Sequence, residues 1–249
     1  MHNAGPEEFL LLGGNHYGDW LAMDCGEDSF VGATSTDLIA SAYYAYSTSL
    51  LIKAGKVLGK NVSKYEKLHS KILEKGRKTF TEFNTQTECV IALYFDFALD
   101  KKAVADKLAR MITENGKKLK PGFVGTPYLL HALSQNGYTE LAYDLLLQEE
   151  FPSWLYSVKQ GATTIWEHWD GINDKGEFWS KDMNSFNHYG LGSVADWVYG
   201  VACGIQTVEE KPGFEEILIE PHPTDKLEHL SASIETPRGI VSSKWYHKD

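Results

Sequence analysis

TDLIASAYYAYSTSLLIKAGKVLG (residues 36–59), with VSKYEKLHSKILEKGRKTFTEFN (62–84) just after it, decides the fold class. In the first stretch apolar residues recur at helical spacing. Thr36 is placed to cap the start, Asp37 lies in the first turn where it complements the helix dipole, and Gly59 can end the run. In the second, Ser63 and Glu66 have the spacing of a capping box, and Tyr65, Leu68, Ile72 and Leu73 fall on one face. Shorter helical units follow at about 86–98, 101–115, 126–136, 139–150, 153–159 and 187–202. Gly116, Gly137 and Gly161 stand at C-terminal stops, and Pro127 and Pro152 at starts, where a missing N–H costs little. Helix pairs that cannot bury their own faces must stack side by side. The expected fold is mainly α, a helical toroid of stacked helix pairs.

Outward from this core the pattern changes at both ends. The first 33 residues are Gly-rich and irregular, with Gly13-Gly14 and the tetrapeptide YGDW at 17–20. Past Thr207, EILIEP (216–221) reads as a strand. Leu230–Glu235 and Ile240–Tyr246, joined by the turn TPRG, read as a hairpin. One strand and a hairpin bury little alone, so this tail either packs on the helices or opens a β domain. The expected division is 1–205 for the helical domain and 206–249 for the β segment.

Composition excludes several classes of partner. The net charge of −10 and the lack of any Lys/Arg run longer than two argue against nucleic acid and anionic lipid, which need clustered cations. Cys25, Cys89 and Cys203 are far apart and form no CxxC pair, which speaks against a disulfide framework or a zinc site. There is no HExxH motif and no Asp-rich calcium loop, so neither metal nor cofactor is called for. MHNAGPEEFLLLGG lacks the features of a secretory signal, and no apolar run is long enough for a membrane helix. The chain as given therefore reads as soluble and cytoplasmic, unless it comes from a longer secreted protein.

Chemistry concentrates in 154–199, which holds Trp154, Trp166, Trp169, Trp179 and Trp197. Between them lie Glu167, His168, Asp170, Asp174, Asp182, Asn184, Asn187 and His188. The pieces GATTIWEHWDG and MNSFNHYGLG are poor helix formers and read as loops, where sites are commonly built. Indoles interleaved with carboxylates, amides and imidazole suit a sugar, whose C–H faces stack on rings and whose hydroxyls need polar partners. A Trp-rich stretch in a helical domain is also a common way to build core. Glu167, between Trp166 and His168 in an apolar TTIW run, is costly to enclose without a role or a partner. A structural ion pair is the competing reading for Glu167, and a backbone contact at a helix start is the competing reading for His188. Asp19 and Trp20 repeat the Gly turn, carboxylate and indole on a smaller scale.

The ordered series YGDWLA, NTQTECVIAL, GFVGTPYLLHALSQNGYTELAYDLL, PSWLYSVKQGATTIWEHWDG, NSFNHYGLGSVADWVYGVACGI and PGFEEILIEPHP resembles bacterial α-L-rhamnosidases of glycoside hydrolase family 78 from about Tyr17 onward. TTIWE and NSFNHY at this separation carry the specificity; GDW and GTPYLL alone do not. The resemblance implies an (α/α)6 barrel followed by a β-sandwich, and inverting hydrolysis of terminal α-L-rhamnosides. In that chemistry an acid protonates the leaving oxygen and a carboxylate activates water on the opposite face. It implies Glu167 as general base, Trp20 and His188 as sugar contacts, and Asp19 and Trp169 as further substrate-binding neighbours. The implied partner is a rhamnose-containing glycoside or oligosaccharide.

One departure stands out. The family's general acid lies in a DERLGWTGD-like stretch upstream of GDW, and this sequence has none. About eight helices are counted, fewer than a closed (α/α)6 barrel contains, so the toroid is expected to be incomplete and self-association through exposed helix faces is expected. A rhamnose-recognising module without catalysis is the alternative from another class. A further alternative is another helical-toroid sugar enzyme, a trehalase-like or glucoamylase-like hydrolase or a lyase.

Overall fold

A computed structural model describes residues 8–26 and 29–247. Parts of the irregular N-terminal stretch, residues 1–7 and 27–28, lie outside the described residues, as do 248–249. The chain divides into two compact units, Met1–Leu191 and Gly192–Asp249.

The first unit is helical. α1 (Thr36–Val57), α2 (Ser63–Thr79), α3 (Gln86–Tyr94), α4 (Lys101–Glu114), α5 (Thr126–Gln135), α6 (Thr139–Leu146) and α7 (Trp154–Lys159) follow one another with short connections. α1 pairs with α2, α3 with α4 and α5 with α6, while α1, α3 and α5 are also successive neighbours. The glycines expected at the stops supply the left-handed residue each turn needs: φ is +63° at Gly59, +69° at Gly116, +85° at Gly137 and +88° at Gly161. None of the described helices is long and apolar enough to cross a membrane.

Capping differs from the sequence expectation at two helices. The cap of α1 is Ser35, not Thr36; its hydroxyl accepts from Leu38 N–H at 3.3 Å. Ser63 and Glu66 form no capping box, because the Ser63 N–H is already taken by Asn61 Oδ1 at 3.0 Å and Glu66 pairs with Lys56 at 2.9 Å. The capping box belongs to α3. There the Thr85 hydroxyl accepts from Glu88 N–H, and the Glu88 carboxylate reaches back to the N–H groups of Asn84 and Thr85.

The core is made where these faces meet. Leu38, Ile72, Cys89, Val90, Ile91, Leu108, Ile112, Leu129 and Leu133 are almost fully enclosed, each large apolar side chain contributing roughly 1.5–3 kcal/mol. An aromatic cluster ties α1, α3 and α5 together. Tyr94 and Tyr128 are 4.6 Å apart and Tyr43 and Phe95 are 5.2 Å apart. The Tyr43 hydroxyl donates to that of Tyr128 at 3.4 Å. The side chains of Leu50, Leu51 and Val57 on α1, and of Leu58 at its C-cap, are exposed.

The second unit opens inside the helical run expected at about 187–202, which begins instead at Gly190 and changes pitch twice. A 3-10 turn (Gly190–Ser193) gives way to α8 (Val194–Trp197) and then to a π turn (Val198–Ala202). The π turn is closed by Cys203 N–H donating to the Val198 carbonyl at 2.9 Å. Two small antiparallel sheets follow. β1 (Ile205–Thr207) pairs with β2 (Ile217–Ile219), and β3 (His229–Thr236) pairs with β4 (Gly239–Tyr246) in the register Thr236 opposite Gly239. The hairpin thus forms where the alternation placed it. Trp245 anchors it by donating its indole N–H to the Ala202 carbonyl at 2.9 Å.

Candidate active site

Four loop regions of the helical unit converge: 17–26 with 29–32, 121–125, 163–171 and 184–190. The first is a small antiparallel ribbon in which Trp20 bridges Val31 and Leu21 N–H donates to the Phe30 carbonyl at 2.7 Å. Gly18 makes its turn possible: φ is +59°, and a Cβ there would lie 2.7 Å from Val31 Cγ1.

Asp19 is fully enclosed. Its Oδ2 accepts from the Thr87 hydroxyl at 2.6 Å and Gly122 N–H at 2.9 Å, and its Oδ1 from Val124 N–H at 2.8 Å and Gly125 N–H at 3.2 Å. Burial pushes this carboxyl above its ordinary range, with the four donors pulling the other way. The same carboxylate therefore fixes the 121–125 loop. Phe123 N–H donates to the Trp20 carbonyl at 2.9 Å, which sets the Phe123 ring beside the site. The approach is close, since a Cβ on Gly122 would come within 2.1 Å of that carbonyl oxygen.

The other two loops pair with each other. Glu167 N–H donates to the Ser185 carbonyl and His188 N–H to that of Ile165, both at 2.8 Å. Ser185 N–H in turn donates to Glu167 Oε2 at 2.9 Å. Glu167 is half-buried, with one carboxylate oxygen held by backbone; among the described residues Oε1 has no hydrogen-bond donor. A carboxylate oriented through one oxygen and open at the other is equipped to accept a proton from water.

His188 stacks on Phe123, with centroids 4.7 Å apart at 13°, and on Tyr189 at 5.4 Å and 8°. Its Nδ1 accepts from Gly190 N–H at 3.2 Å. The neutral ring consequently carries its proton on Nε2, as a donor suited to a sugar hydroxyl.

The structure thus brings Trp20, Glu167 and His188 into one region and separates two other expected sugar contacts from it. Asp19 is enclosed by the 121–125 loop and Thr87, and its carboxylate holds the loop that carries Phe123. Trp169 is 2 % exposed, packed edge-on against Trp154 at 5.2 Å, and its carbonyl accepts from the Ser157 hydroxyl at 2.8 Å. Trp166 likewise turns inward, onto Phe186 at 5.2 Å. The two indoles flanking Glu167 are core, because they point away from the half-exposed carboxylate between them. His168 is also buried. Its Nδ1 lies 2.5 Å from Asp170 Oδ1, and its ring stacks on Trp179 at 4.0 Å and 7°. Phe123, Tyr189 and Ser185 escaped the sequence reading. For Phe123 the one signal was its place between Gly122 and Gly125, ahead of Pro127.

Residues 5–202 match the bacterial alpha-L-rhamnosidase 6 hairpin glycosidase domain, and residues 204–249 match the bacterial alpha-L-rhamnosidase C-terminal domain. The chain belongs to the bacterial α-L-rhamnosidase family. An alpha-L-rhamnosidase of Streptomyces avermitilis is 35 % identical over 247 residues, covering 96 % of this chain and 23 % of the relative. One from Formosa agariphila is 35 % identical over 259 residues, covering 100 % of this chain and 28 % of the relative. The chain spans about a quarter of the length of these curated relatives.

The solved Streptomyces avermitilis alpha-L-rhamnosidase complexed with L-rhamnose superposes with a TM-score of 0.88 at 35 % identity, over 97 % of this chain and 23 % of that one. The Aspergillus terreus enzyme superposes with a TM-score of 0.86 at 35 % identity, over 92 % of this chain and 28 % of that one. The mainly helical chain with short C-terminal strands therefore fits part of the family's six-hairpin architecture.

Proposed function

We propose that this chain supplies the water-activating carboxylate and part of the sugar site for inverting hydrolysis of terminal α-L-rhamnosides. The observation that carries this is the half-buried Glu167, oriented through Oε2 by Ser185 N–H and open at Oε1, on a loop paired with the one bearing His188. Trp20 offers an apolar ring to a C–H face of the sugar, and His188 offers Nε2–H to a hydroxyl. Their distance from one another along the chain is bridged by Phe123, hydrogen-bonded to Trp20 and stacked on His188. Membership of the family and the L-rhamnose bound by the Streptomyces avermitilis relative support the choice of sugar.

Inverting chemistry also needs a general acid across the sugar, roughly 6.5–9.5 Å from the base so that water fits between. The sequence carries no DERLGWTGD-like stretch to provide one. Lack of a general acid costs about 10²–10⁴ in rate, so the chain alone is expected to turn over an aryl α-L-rhamnoside slowly, and Glu167→Gln to remove the remainder. Turnover that Glu167→Gln leaves intact refutes the assignment.

A further inference from the structure

Of the four side chains from Trp166 to Trp169, three are enclosed and one is not. Trp166 is 5 % exposed, His168 6 % and Trp169 2 %, while Glu167 among them is half-buried. The two indoles are explained by their packing on Phe186 and Trp154. A buried imidazole is a different matter, because its polar atoms need partners and an alkyl side chain fills such a space at less cost. His168 has both a partner and a platform. Its Nδ1 lies 2.5 Å from Asp170 Oδ1, so the carboxylate accepts and Nδ1 carries the proton. Its ring lies flat on Trp179, with centroids 4.0 Å apart at 7°, and Phe151 is tilted against it at 6.4 Å.

The bond and the stack act on different parts of the chain. The bond braces the turn that follows Glu167, in which Gly171 N–H donates to the His168 carbonyl at 3.2 Å. The far end of that turn is held by Asn184 Nδ2, which donates to the Gly171 carbonyl at 2.8 Å. Asn184 precedes Ser185, whose N–H orients Glu167 Oε2. The stack brings in Trp179, whose N–H also donates to the Gly171 carbonyl, at 3.3 Å. The Trp179 ring meets Phe30 at 6.0 Å, and Phe30 lies on the ribbon that carries Trp20. Apolar packing of the two indoles is non-directional and leaves the turn free to rock. A hydrogen bond combined with a flat stack fixes both the place and the angle of the imidazole, and with it the backbone on which Glu167 stands.

We infer that His168, held by Asp170 and Trp179, is the positioning residue that keeps the Glu167 carboxylate at one angle to the attacking water. It acts through the turn and touches neither water nor sugar. This rests on the reading of Glu167 as the base. The test uses the full chain and 2,4-dinitrophenyl α-L-rhamnoside, whose leaving group departs as a stable phenolate without a general acid. Water attacks C1, its proton passes to Glu167, and the C1–O bond breaks with its electron pair on the phenolate, so turnover reports the base. His168→Leu is expected to lower kcat about ten- to thirtyfold with KM within about twofold, because a small misplacement of a catalytic group is enough for such a loss. Asp170→Leu is expected to match it, whereas Asp170→Asn, whose amide oxygen still accepts from Nδ1–H, is expected to stay within about threefold of the parent. Amide hydrogen exchange followed by NMR separates positioning from general stability. In His168→Leu the N–H groups of Glu167 and Ser185 are expected to exchange about tenfold faster, with those of α3 unchanged. Parental kcat in His168→Leu, or equal acceleration at every amide, overturns the inference. Turnover that survives Glu167→Gln refutes the base reading instead. In that case, or if the chain shows no turnover, faster exchange confined to Glu167 and Ser185 upholds the positioning role and unchanged exchange overturns it.

Discussion

Asp19→Asn puts the largest predicted load on the smallest change of shape. The carboxylate accepts four hydrogen bonds, from the Thr87 hydroxyl and the N–H groups of Gly122, Val124 and Gly125. An asparagine keeps one acceptor oxygen, which can retain Val124 and Gly125, and the Thr87 hydroxyl can rotate to accept from the new amide. Gly122 N–H is then left facing a donor. A buried unsatisfied group costs about 1–3 kcal/mol, and the retained bonds lose their charge assistance. Relief from burying a charge offsets part of this. The net expectation is a loss of about 2–3 kcal/mol, measured by urea unfolding followed by far-UV circular dichroism, which reads α1 to α7 in the same unit.

The difference between the two proteins also has a defined pH dependence. Because folding raises the Asp19 pKa, its contribution is complete below the ordinary carboxylate range and is lost as pH rises through the raised value. Asparagine has no such slope, so the stability gap narrows with rising pH over that window. A variant within about 0.5 kcal/mol of the parent at every pH refutes the reasoning.

Two further outcomes follow from the same loops and from the core. Gly122→Ala places a Cβ 2.1 Å from the Trp20 carbonyl oxygen and 2.7 Å from Ala22 N, both backbone atoms. It is expected to destabilise by more than about 2 kcal/mol and to weaken L-rhamnose binding with it; a stable variant with unchanged binding contradicts the close packing of Trp20 on the 121–125 loop. The Cys89 thiol is fully enclosed and pushed up to about 12 by burial. At mildly alkaline pH a maleimide is therefore expected to modify Cys25, which is partly exposed, and to spare Cys89 and Cys203 until urea unfolds the chain.

What the sequence determined by itself is local. Helical periodicity placed α1 to α6 to within a few residues, and the glycine stops were readable because a positive φ is a property of one residue. TTIWE and NSFNHY marked the site because poor helix formers rich in Trp, Asn and His stand out within a helical chain. Tertiary structure decided which of those side chains face solvent and which close the core. A tryptophan on either side of Glu167 looks the same in sequence, yet Trp166 and Trp169 both turn inward once Phe186 and Trp154 arrive to cover them. Asp19 reads as a turn residue or a sugar contact until Gly122, 103 positions away, donates its N–H. The Thr85–Glu88 capping box is local and follows the Thr-x-x-Glu spacing, whereas the pairing of β1 with β2 is set by packing. Periodicity reports what a segment favours within a turn or two of itself. The burial of Asp19 and the stack of Phe123 on His188 are settled by chain segments that meet only when the helices assemble, and so is the contact of Trp179 with Phe30.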